Sequence, residues 1–306
     1  MANLKEMAKH EERLTGGHRA CAGCGIPIIV RQIMHSIKDP VVVGCATGCL
    51  EVVTTIYPFT AWNVPFLHNA FENSAATVSG METAYNALKK KGKINKEIKF
   101  IAFGGDGGTY DIGLQSLSGA MERGHDMLYV CYNNEAYMNT SVQRSGATPM
   151  GANTTTAPAG KVKQGKEQFR KNLTEIMVAH EIPYVAQAAV GDWMDLTRKI
   201  EKAMSIKGPK YIGVLQPCQL GWGYPMEKTV EMGKLAVDTC MWPLYEVENG
   251  KYKLTYNPKV KKPVAEWMKP QGRFRHLFKP GNEAILEKIQ ANVDKNWNEL
   301  LVKCGV

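Results

Sequence analysis

Short runs of β-branched and apolar residues alternate with helix-like segments along the first two thirds of the chain. The apolar runs cover residues 41–44, 98–103, 127–132, 184–190 and 211–215. Strands that are apolar at consecutive positions are typical of a sheet covered on both faces. Helices are predicted between the runs, at residues 71–91, 111–123, 168–180 and 192–206. This alternation predicts an α/β fold with a doubly wound, mostly parallel sheet.

The alternation ends near residue 223, which divides the chain into two predicted parts. Residues 1–223 form the binding domain, and residues 224–306 form a C-terminal extension that we expect to act as an arm for subunit contact. Within the extension, residues 244–256 alternate around Asn249 and Gly250, a pattern typical of a β-hairpin. Residues 285–301 carry the spacing of an amphipathic helix.

Composition restricts the classes of protein to which the chain can belong. Its 306 residues carry a formal net charge of +9 and include eight cysteines. No run approaches the roughly 20 apolar residues of a membrane-spanning helix, and the charged start is unlike a signal peptide. We therefore expect a soluble, cytoplasmic protein with reduced thiols and no membrane association. The lysines are scattered without interleaved aromatic residues, so a solvated basic surface is favoured and no nucleic acid is expected.

The segment 103–113, FGGDGGTYDIG, places Asp106 among glycines after an apolar strand and before a helix. Glycines let backbone N–H groups approach a phosphate closely, and a helix start favours negative charge. A carboxylate beside a phosphate requires a bridging cation, for which Mg²⁺ is suited. The alternative is a glycine turn with a helix-capping aspartate. A dinucleotide site is disfavoured because no GxGxxG opens the first βα unit.

The next predicted strand leads into residues 132–141, YNNEAYMNTS. One βαβ step would bring Asn134 to the same sheet edge as Asp106, where ligands bind in doubly wound sheets. The two segments together therefore favour the cation site over the simple turn.

The cysteines suggest a second site. Cys21 and Cys24 form a C-x-x-C loop, and Cys49 and Cys218 each follow a predicted strand. A C-x-x-C pair alone is compatible with zinc, an iron–sulfur cluster or a redox dithiol. A pair plus two distant single cysteines is more typical of a [4Fe–4S] cluster than of a zinc ribbon. Cys45 competes with Cys49 for the third position.

Six motifs in order resemble one family. They are CAGCG, ATGC, FENSA, GDGG-x-YDIG, NNEAYMNTS-x-Q-x-S-x-ATP and a late PC, with WPLYE and QGRFRHL also similar. Together they resemble the β subunits of multi-subunit pyruvate:ferredoxin oxidoreductases, in the 2-oxoacid:ferredoxin oxidoreductase family. The resemblance covers most of the chain and implies a thiamine diphosphate-binding fold. It also implies three cofactors: thiamine diphosphate, Mg²⁺ and one [4Fe–4S] cluster.

The resemblance also implies roles for particular residues. The cluster ligands would be Cys21, Cys24, Cys49 and Cys218, which is why Cys49 is preferred to Cys45. Mg²⁺ would be bound by Asp106, Asn134 and the carbonyl group of Ala136. The cofactor-binding residues would be Thr47, Gly48, Gly105, Asp106, Gly107, Gly108, Asn134, Ala136, Asn139 and Thr140. Asn139 would be the catalytic residue beside the thiazolium. Ile26 departs from single-chain members, which carry an acidic residue there.

The implied activity is oxidative decarboxylation of a 2-oxoacid, with coenzyme A as acyl acceptor and ferredoxin as electron acceptor. Pyruvate is the first choice, and oxalate, 2-oxoisovalerate and 2-oxoglutarate remain alternatives. The implied partners are an α subunit that supplies the other thiamine-binding domain, and γ and δ subunits. Two rival hypotheses remain open. One is a non-redox thiamine-dependent decarboxylase or synthase, and the other is a zinc-stapled interaction subunit.

Overall fold

The strands build one sheet whose order confirms the predicted doubly wound, mostly parallel α/β fold. The computed structural model describes residues 4–306. Within them the strands are β1 Val41–Ala46, β2 Phe66–Asn69, β3 Lys99–Gly105, β4 Leu128–Asn133, β5 Tyr184–Ala189, β6 Lys210–Leu215, β7 Tyr245–Glu248 and β8 Lys251–Leu254. The strand order is β2-β1-β3-β4-β6-β5-β7-β8. The first six strands are parallel, whereas β7 and β8 pair antiparallel.

Each central strand is buried on both faces, as its continuous apolar sequence predicted. In β3, Phe100 and Ala102 belong to one hydrophobic cluster, and Ile101 and Phe103 belong to the other. Successive side chains of a strand point to opposite faces, so the two clusters lie on opposite sides of the sheet. The site edge of the sheet therefore stands on a core packed from both sides.

The helices of residues 4–306 cover these two faces. They are α1 Leu4–Met7, α2 Ile26–His35, α3 Cys49–Thr54, α4 Ser74–Lys90, α5 Leu114–Glu122, α6 Leu173–Val178, α7 Trp193–Ser205, α8 Gln219–Trp222, α9 Thr229–Asp238, α10 Val264–Met268 and α11 Glu283–Cys304. A π-helical turn spans Gly108–Ile112, and 3-10 turns span Met226–Lys228 and Gly272–Phe278. Across the described chain, these helices all lack the length and apolar character needed to cross a bilayer.

Two local predictions differ from the structure. The helix predicted at residues 168–180 is confined to α6, because Asn172 accepts a hydrogen bond from the Glu175 N–H and caps the helix at that point. Strand β2 was not predicted, since it is short, lies at the sheet edge and is partly exposed. The predicted hairpin is confirmed as β7 and β8, with Asn249 and Gly250 both at positive φ, as a tight hairpin turn requires.

The C-terminal part packs on the sheet rather than standing apart from it. Strand β7 pairs with β5, and Val293 and Trp297 of α11 join the same hydrophobic cluster as Tyr129 of β4. The division at residue 223 and the role of residues 224–306 in subunit contact stay predictions. Their packing does bring the turn Gly272–Phe278 close to the loop that follows β4.

Candidate functional site

A cleft opens at the carboxyl edge of the sheet, where β1, β3 and β4 end. It contains about 270 Å³ of unfilled space, part of it open to solvent. The residues that line it are Gly48, Cys49, Phe71, Gly105, Asp106, Gly107, Gly108, Tyr132, Asn134, Ala136, Tyr137, Met138, Asn139 and Thr140. Every predicted cofactor-binding residue except Thr47 lines this cleft.

Thr47 is directed toward the end of β2. Its hydroxyl donates to the backbone carbonyl oxygen of Asn69 over 2.9 Å and lies 2.7 Å from His68 Nε2. The residue therefore braces the loop after β1, next to Gly48 of the cleft.

Asp106 lies at the end of β3 and is fully buried. Its carboxylate accepts hydrogen bonds from the Asn134 backbone N–H, over 3.2 Å, and from the Ser145 hydroxyl. Burial raises the pKa of Asp106 to about 7 against the lowering effect of these bonds. Neither donor is charged, so a bound cation would stabilise the ionised carboxylate.

The Asn134 side-chain amide and the Ala136 carbonyl group converge on this carboxylate. The side-chain oxygen of Asn134 lies 2.9 Å from Asp106 Oδ1 and 2.8 Å from the carbonyl oxygen of Ala136. With oxygen at this position, the Asn134 amide stands between two other acceptors, an arrangement that suits a cation bound among them. Turning the amide over would let its NH₂ group donate to both oxygens instead. Carboxylate, amide and carbonyl oxygens form the donor set that suits Mg²⁺, so these residues fit the predicted ion.

Two glycines allow aromatic side chains to pack against the backbone of the cleft. A Cβ at Gly107 would lie 2.3 Å from the Tyr137 ring, whose hydroxyl donates to the Gly107 carbonyl oxygen over 2.8 Å. Gly48 has φ 155°, and a Cβ there would lie 2.6 Å from the Tyr132 hydroxyl. The π-helical turn begins directly after Gly107, and such turns occur frequently at functional sites.

The rim and wall of the cleft include Asn139, which has a predicted role, and several side chains to which no role had been assigned. Asn139, the predicted catalytic residue, is exposed at the rim, where a substrate could reach it. Phe71, Tyr132 and Tyr137 form the aromatic wall, and Ser145 supports Asp106. All four stand within or next to the motifs, but aromatic and serine residues have no spacing rule that would identify them from sequence.

The C-x-x-C loop is fastened to the segment that follows β6. Gln219 Nε2 donates to the Ala22 carbonyl oxygen, and the Thr229 hydroxyl donates to the Gly23 carbonyl oxygen, each over 2.6 Å. Cys218 precedes Gln219 and caps α8, since its sulfur accepts from the Gly221 N–H. These bonds hold the loop of Cys21 and Cys24 against the turn that carries Cys218.

The four predicted cluster cysteines also affect one another electrostatically. Burial, together with the nearby groups of Cys218, Cys24, Asp106 and Cys21, raises the pKa of Cys49 to about 12. Burial likewise raises the pKa of Cys24 to about 11, with Cys218 and Cys21 adding to the effect. The thiols of Cys24, Cys49 and Cys218 have raised pKa values and are poorly ionised alone, and cationic iron would stabilise their thiolates, so the donor set fits a cluster.

Cys45 differs from these four. It is fully buried on β1, its thiol points into the core, and the charged neighbour that raises its pKa beyond the effect of burial is Glu51. Cys131 and Cys240 are also buried. Ile26, at the position of the family's acidic residue, begins α2 and is buried in the same cluster as Cys45.

Within residues 4–306, no group of three or more His, Cys, Asp or Glu side chains converges as the ligands of one metal ion do. A zinc ion collects its thiolates at about 2.3 Å from a single point. A [4Fe–4S] cluster instead gives each thiolate its own iron, so its ligands are spread further apart.

The chain is similar to well-characterised classes of protein. Residues 43–214 match the C-terminal TPP-binding domain of thiamine pyrophosphate enzymes. Pyruvate synthase subunit PorB of Thermotoga maritima is 56% identical, over 98% of this chain and 95% of that protein. The subunit of the same name from Methanocaldococcus jannaschii is 55% identical over 93% and 95%. Ketoisovalerate oxidoreductase subunit VorB of Pyrococcus abyssi is 43% identical over 95% and 93%.

Among solved structures, the 2-oxoglutarate:ferredoxin oxidoreductase from Magnetococcus marinus aligns with a TM-score of 0.54. The alignment covers 65% of this chain and 64% of that chain at 23% identity. At that identity the likeness shows a shared fold.

Proposed function

The chain belongs to the family of pyruvate synthase PorB subunits, and from that premise we propose that it is the β subunit of a pyruvate:ferredoxin oxidoreductase. Such an enzyme decarboxylates pyruvate oxidatively in the presence of coenzyme A and passes the electrons to ferredoxin. Pyruvate is the substrate proposed because two PorB subunits reach 56% and 55% identity, although PorB and VorB of Pyrococcus species match the chain equally, at 43%. The observation that carries the proposal is the convergence of the Asp106 carboxylate, the Asn134 side-chain amide and the Ala136 carbonyl group at the sheet edge.

Thiamine diphosphate, when bound, supplies an electron sink for the decarboxylation of a 2-oxoacid. The chain's part is to hold the cofactor in one position. The oxygens of Asp106, Asn134 and Ala136 would bind Mg²⁺, which in turn would neutralise the diphosphate. Phe71 and Tyr137 line one side of the cleft with aromatic rings, and Asn139 at the rim would contact the substrate.

A [4Fe–4S] cluster would carry electrons away one at a time. Cys21, Cys24, Cys49 and Cys218 would be its ligands, and Cys49 also lines the thiamine cleft. A residue shared between the two sites supports a short path for electrons from the cofactor to the cluster.

Four exposed apolar residues in the chain segments around α3 and β2 support the proposed contact with an α subunit. Tyr57 and Phe59 are 94% and 71% exposed, and Val52 and Leu67 are exposed beside them in the chain segments around α3 and β2. Large exposed apolar residues near a functional cleft are typical of a protein–protein interface.

The test is anaerobic purification of the complete complex, with iron, sulfide, zinc, magnesium and thiamine measured. Reduction of a low-potential dye is then followed with each 2-oxoacid, with and without coenzyme A. We expect at least about four iron atoms per copy of this chain, bound thiamine and coenzyme A-dependent dye reduction that is fastest with pyruvate. Thiamine without iron would favour a non-redox decarboxylase, and zinc without thiamine would favour an interaction subunit.

A matched pair of variants connects the activity to the cleft. Asp106→Asn removes the carboxylate that faces the converging oxygens, so magnesium, thiamine and dye reduction should all be lost. Asp39→Asn makes the same chemical change at the opposite edge of the sheet, just before β1, and should retain all three. Equal behaviour of the two variants would overturn the assignment of the cation site.

A further inference from the structure

Glu135 stands between Asn134 and Ala136, two of the three residues whose oxygens converge, yet its own side chain points away into the protein. Its carboxylate is completely buried between two guanidinium groups. Oε2 lies 2.6 Å from Arg273 Nη2, and Oε1 lies 3.0 Å from Arg170 Nη1. Oε2 accepts a hydrogen bond from Arg273, whereas the contact of Oε1 with Arg170 is an ion contact without hydrogen-bond geometry.

We propose that Glu135 and Arg273 are positioning residues that hold the loop after β4 in the one shape that can bind the divalent cation. The inference rests on the proposed function, because it assumes that Asp106, Asn134 and Ala136 bind that cation. It assigns the C-terminal turn Gly272–Phe278 to the cofactor site, although this turn does not line the cleft.

The backbone of Glu135 has an unfavourable conformation that its contacts must stabilise. Its φ is 66°, in the left-handed region that non-glycine residues rarely adopt. The Glu135 N–H donates to Asn133 Oδ1 over 2.9 Å, and the Thr148 hydroxyl donates to the Glu135 carbonyl oxygen over 2.6 Å. This turn directs the Asn134 side chain and the Ala136 carbonyl group toward the same point, which an extended backbone would not do. Strained residues persist where the surrounding structure fixes them.

Arg273 is the most firmly fixed of the partners. Its guanidinium lies 3.8 Å from the centre of the Trp222 ring and 4.8 Å from that of Phe274, and its Nε donates to Gln271 Oε1 over 2.7 Å. The side chain is 3% exposed. An arginine held against aromatic rings and bonded to Gln271 has little freedom to move, so its Nη2 fixes the carboxylate in position as well as balancing its charge.

Trp222, which packs against the Arg273 guanidinium, also contacts the loop directly. Its Nε1 donates to the carbonyl oxygen of Asn134 over 2.8 Å. Two contacts therefore hold the segment after β4. One is the ion pair of the Glu135 side chain with Arg273, and the other is the hydrogen bond from the Trp222 indole to the Asn134 carbonyl oxygen.

A positioning role and a purely electrostatic role predict opposite effects on cation affinity when the charge of Arg273 is removed. Removing the positive charge of Arg273 leaves the region more negative, so electrostatics alone would tighten cation binding. Removing the negative charge of Glu135 leaves two arginines near the site, which would weaken it. If the pair acts by position, both changes weaken binding, because either one releases the loop.

The experiment uses the complete complex in its oxidised state, stripped of divalent ions and thiamine diphosphate by a chelator. Mn²⁺ is then titrated in the presence of thiamine diphosphate and followed by electron paramagnetic resonance, which reports both free Mn²⁺ and the geometry around bound Mn²⁺. The variants are Glu135→Gln, Arg273→Met and Arg273→Lys. Arg275→Met is the matched control, because Arg275 is an exposed arginine of the same turn.

We expect both Glu135→Gln and Arg273→Met to raise the Mn²⁺ dissociation constant by about tenfold or more and to alter the spectrum of bound Mn²⁺. Arg273→Lys keeps the charge but not the planar fork, so it should fall between wild type and Arg273→Met. The control should match wild type. Thermal unfolding of the cofactor-free complexes identifies any variant that fails to fold. If Arg273→Met does not fold, the Mn²⁺ affinity of Arg273→Lys distinguishes a positioning role from a charge effect.

Tighter Mn²⁺ binding by Arg273→Met would overturn the positioning role in favour of a charge effect. Wild-type affinity and spectrum in all the folded variants would overturn it outright. Failure of the wild-type complex itself to bind Mn²⁺ with thiamine diphosphate would instead count against the proposed function.

Discussion

Trp222 and Asn134 are joined by a buried hydrogen bond of 2.8 Å from the indole Nε1–H to the backbone carbonyl oxygen. The bond connects the short helix α8, directly after Cys218, to the loop that carries two of the converging oxygens. The thiamine side and the cysteine side of the site therefore share one structural contact.

Replacing Trp222 with Phe should test the contribution of this contact. The aromatic ring is largely kept, but the buried Asn134 carbonyl oxygen loses its indole donor, which costs about 1–3 kcal/mol. We expect a lower free energy of unfolding and weaker thiamine diphosphate binding, measured by urea unfolding and by cofactor titration. Trp193→Phe, on α7, provides the matched control, and an equal loss there would argue against a specific role for the bond.

A methyl group at Gly107 should disturb the cleft. The new Cβ would lie 2.3 Å from the Tyr137 ring, so that ring must leave its position over the backbone. We expect Gly107→Ala to destabilise the protein by about 1–3 kcal/mol through overpacking, and to weaken thiamine diphosphate binding.

The matched substitution is Gly80→Ala, since Gly80 lies within α4 and a Cβ there meets nothing within 4 Å. It should stabilise the protein by up to about 1 kcal/mol, because alanine favours a helix more than glycine does. Thermal unfolding and cofactor titration of both variants provide the measurement. Normal cofactor affinity in Gly107→Ala would contradict the close packing at this point.

The choice between Cys49 and Cys45 can be decided by iron content. Cys49 lines the cleft and is affected by Cys218, Cys24 and Cys21, whereas Cys45 faces the core. We expect Cys49→Ala to lose most of the roughly four iron atoms per chain and the visible absorbance of the cluster. Cys45→Ala should retain both, and the reverse result would transfer the third ligand position to Cys45.

Lys166 should make stability depend on pH. Its ammonium group donates to the Thr148 carbonyl oxygen over 2.6 Å, and burial, followed by the charge of Arg144, lowers its pKa to about 8. Between pH 8 and 10.5 the unfolded chain holds a proton on this lysine that the folded chain has lost. Stability from this group therefore rises with pH in that window, by up to about 1.4 kcal/mol per pH unit.

Lys166→Met removes this contribution. The free energy of unfolding of wild type minus that of the variant, measured with urea across the window, should rise with pH. Lys161→Met, at an exposed lysine of the same loop, should track wild type. A constant difference between wild type and Lys166→Met would show that Lys166 titrates normally.

Much of the cleft could be predicted because the polar residues that line it follow the ends of strands. Residues 41–44 and 98–103 were recognisable as buried strands, and the loops after them carry Cys49 and Asp106, so their convergence at one edge followed from parallel topology. The helix predicted at residues 168–180 was wrong over most of its length. Apolar periodicity continues before Asn172, but the capping hydrogen bond of that residue determines where the helix begins.

The amino-acid sequence by itself determined the sheet, the strand ends that carry functional groups, and the kinds of ligand atom available there. These are local properties, since periodicity and turn residues act over a few positions. Only the tertiary structure decided that Arg273 would reach Glu135 across 138 positions, and that Trp222 would bond to the carbonyl group beside it. Contacts at such separation depend on how the C-terminal segment packs against the sheet, and no local pattern encodes that packing.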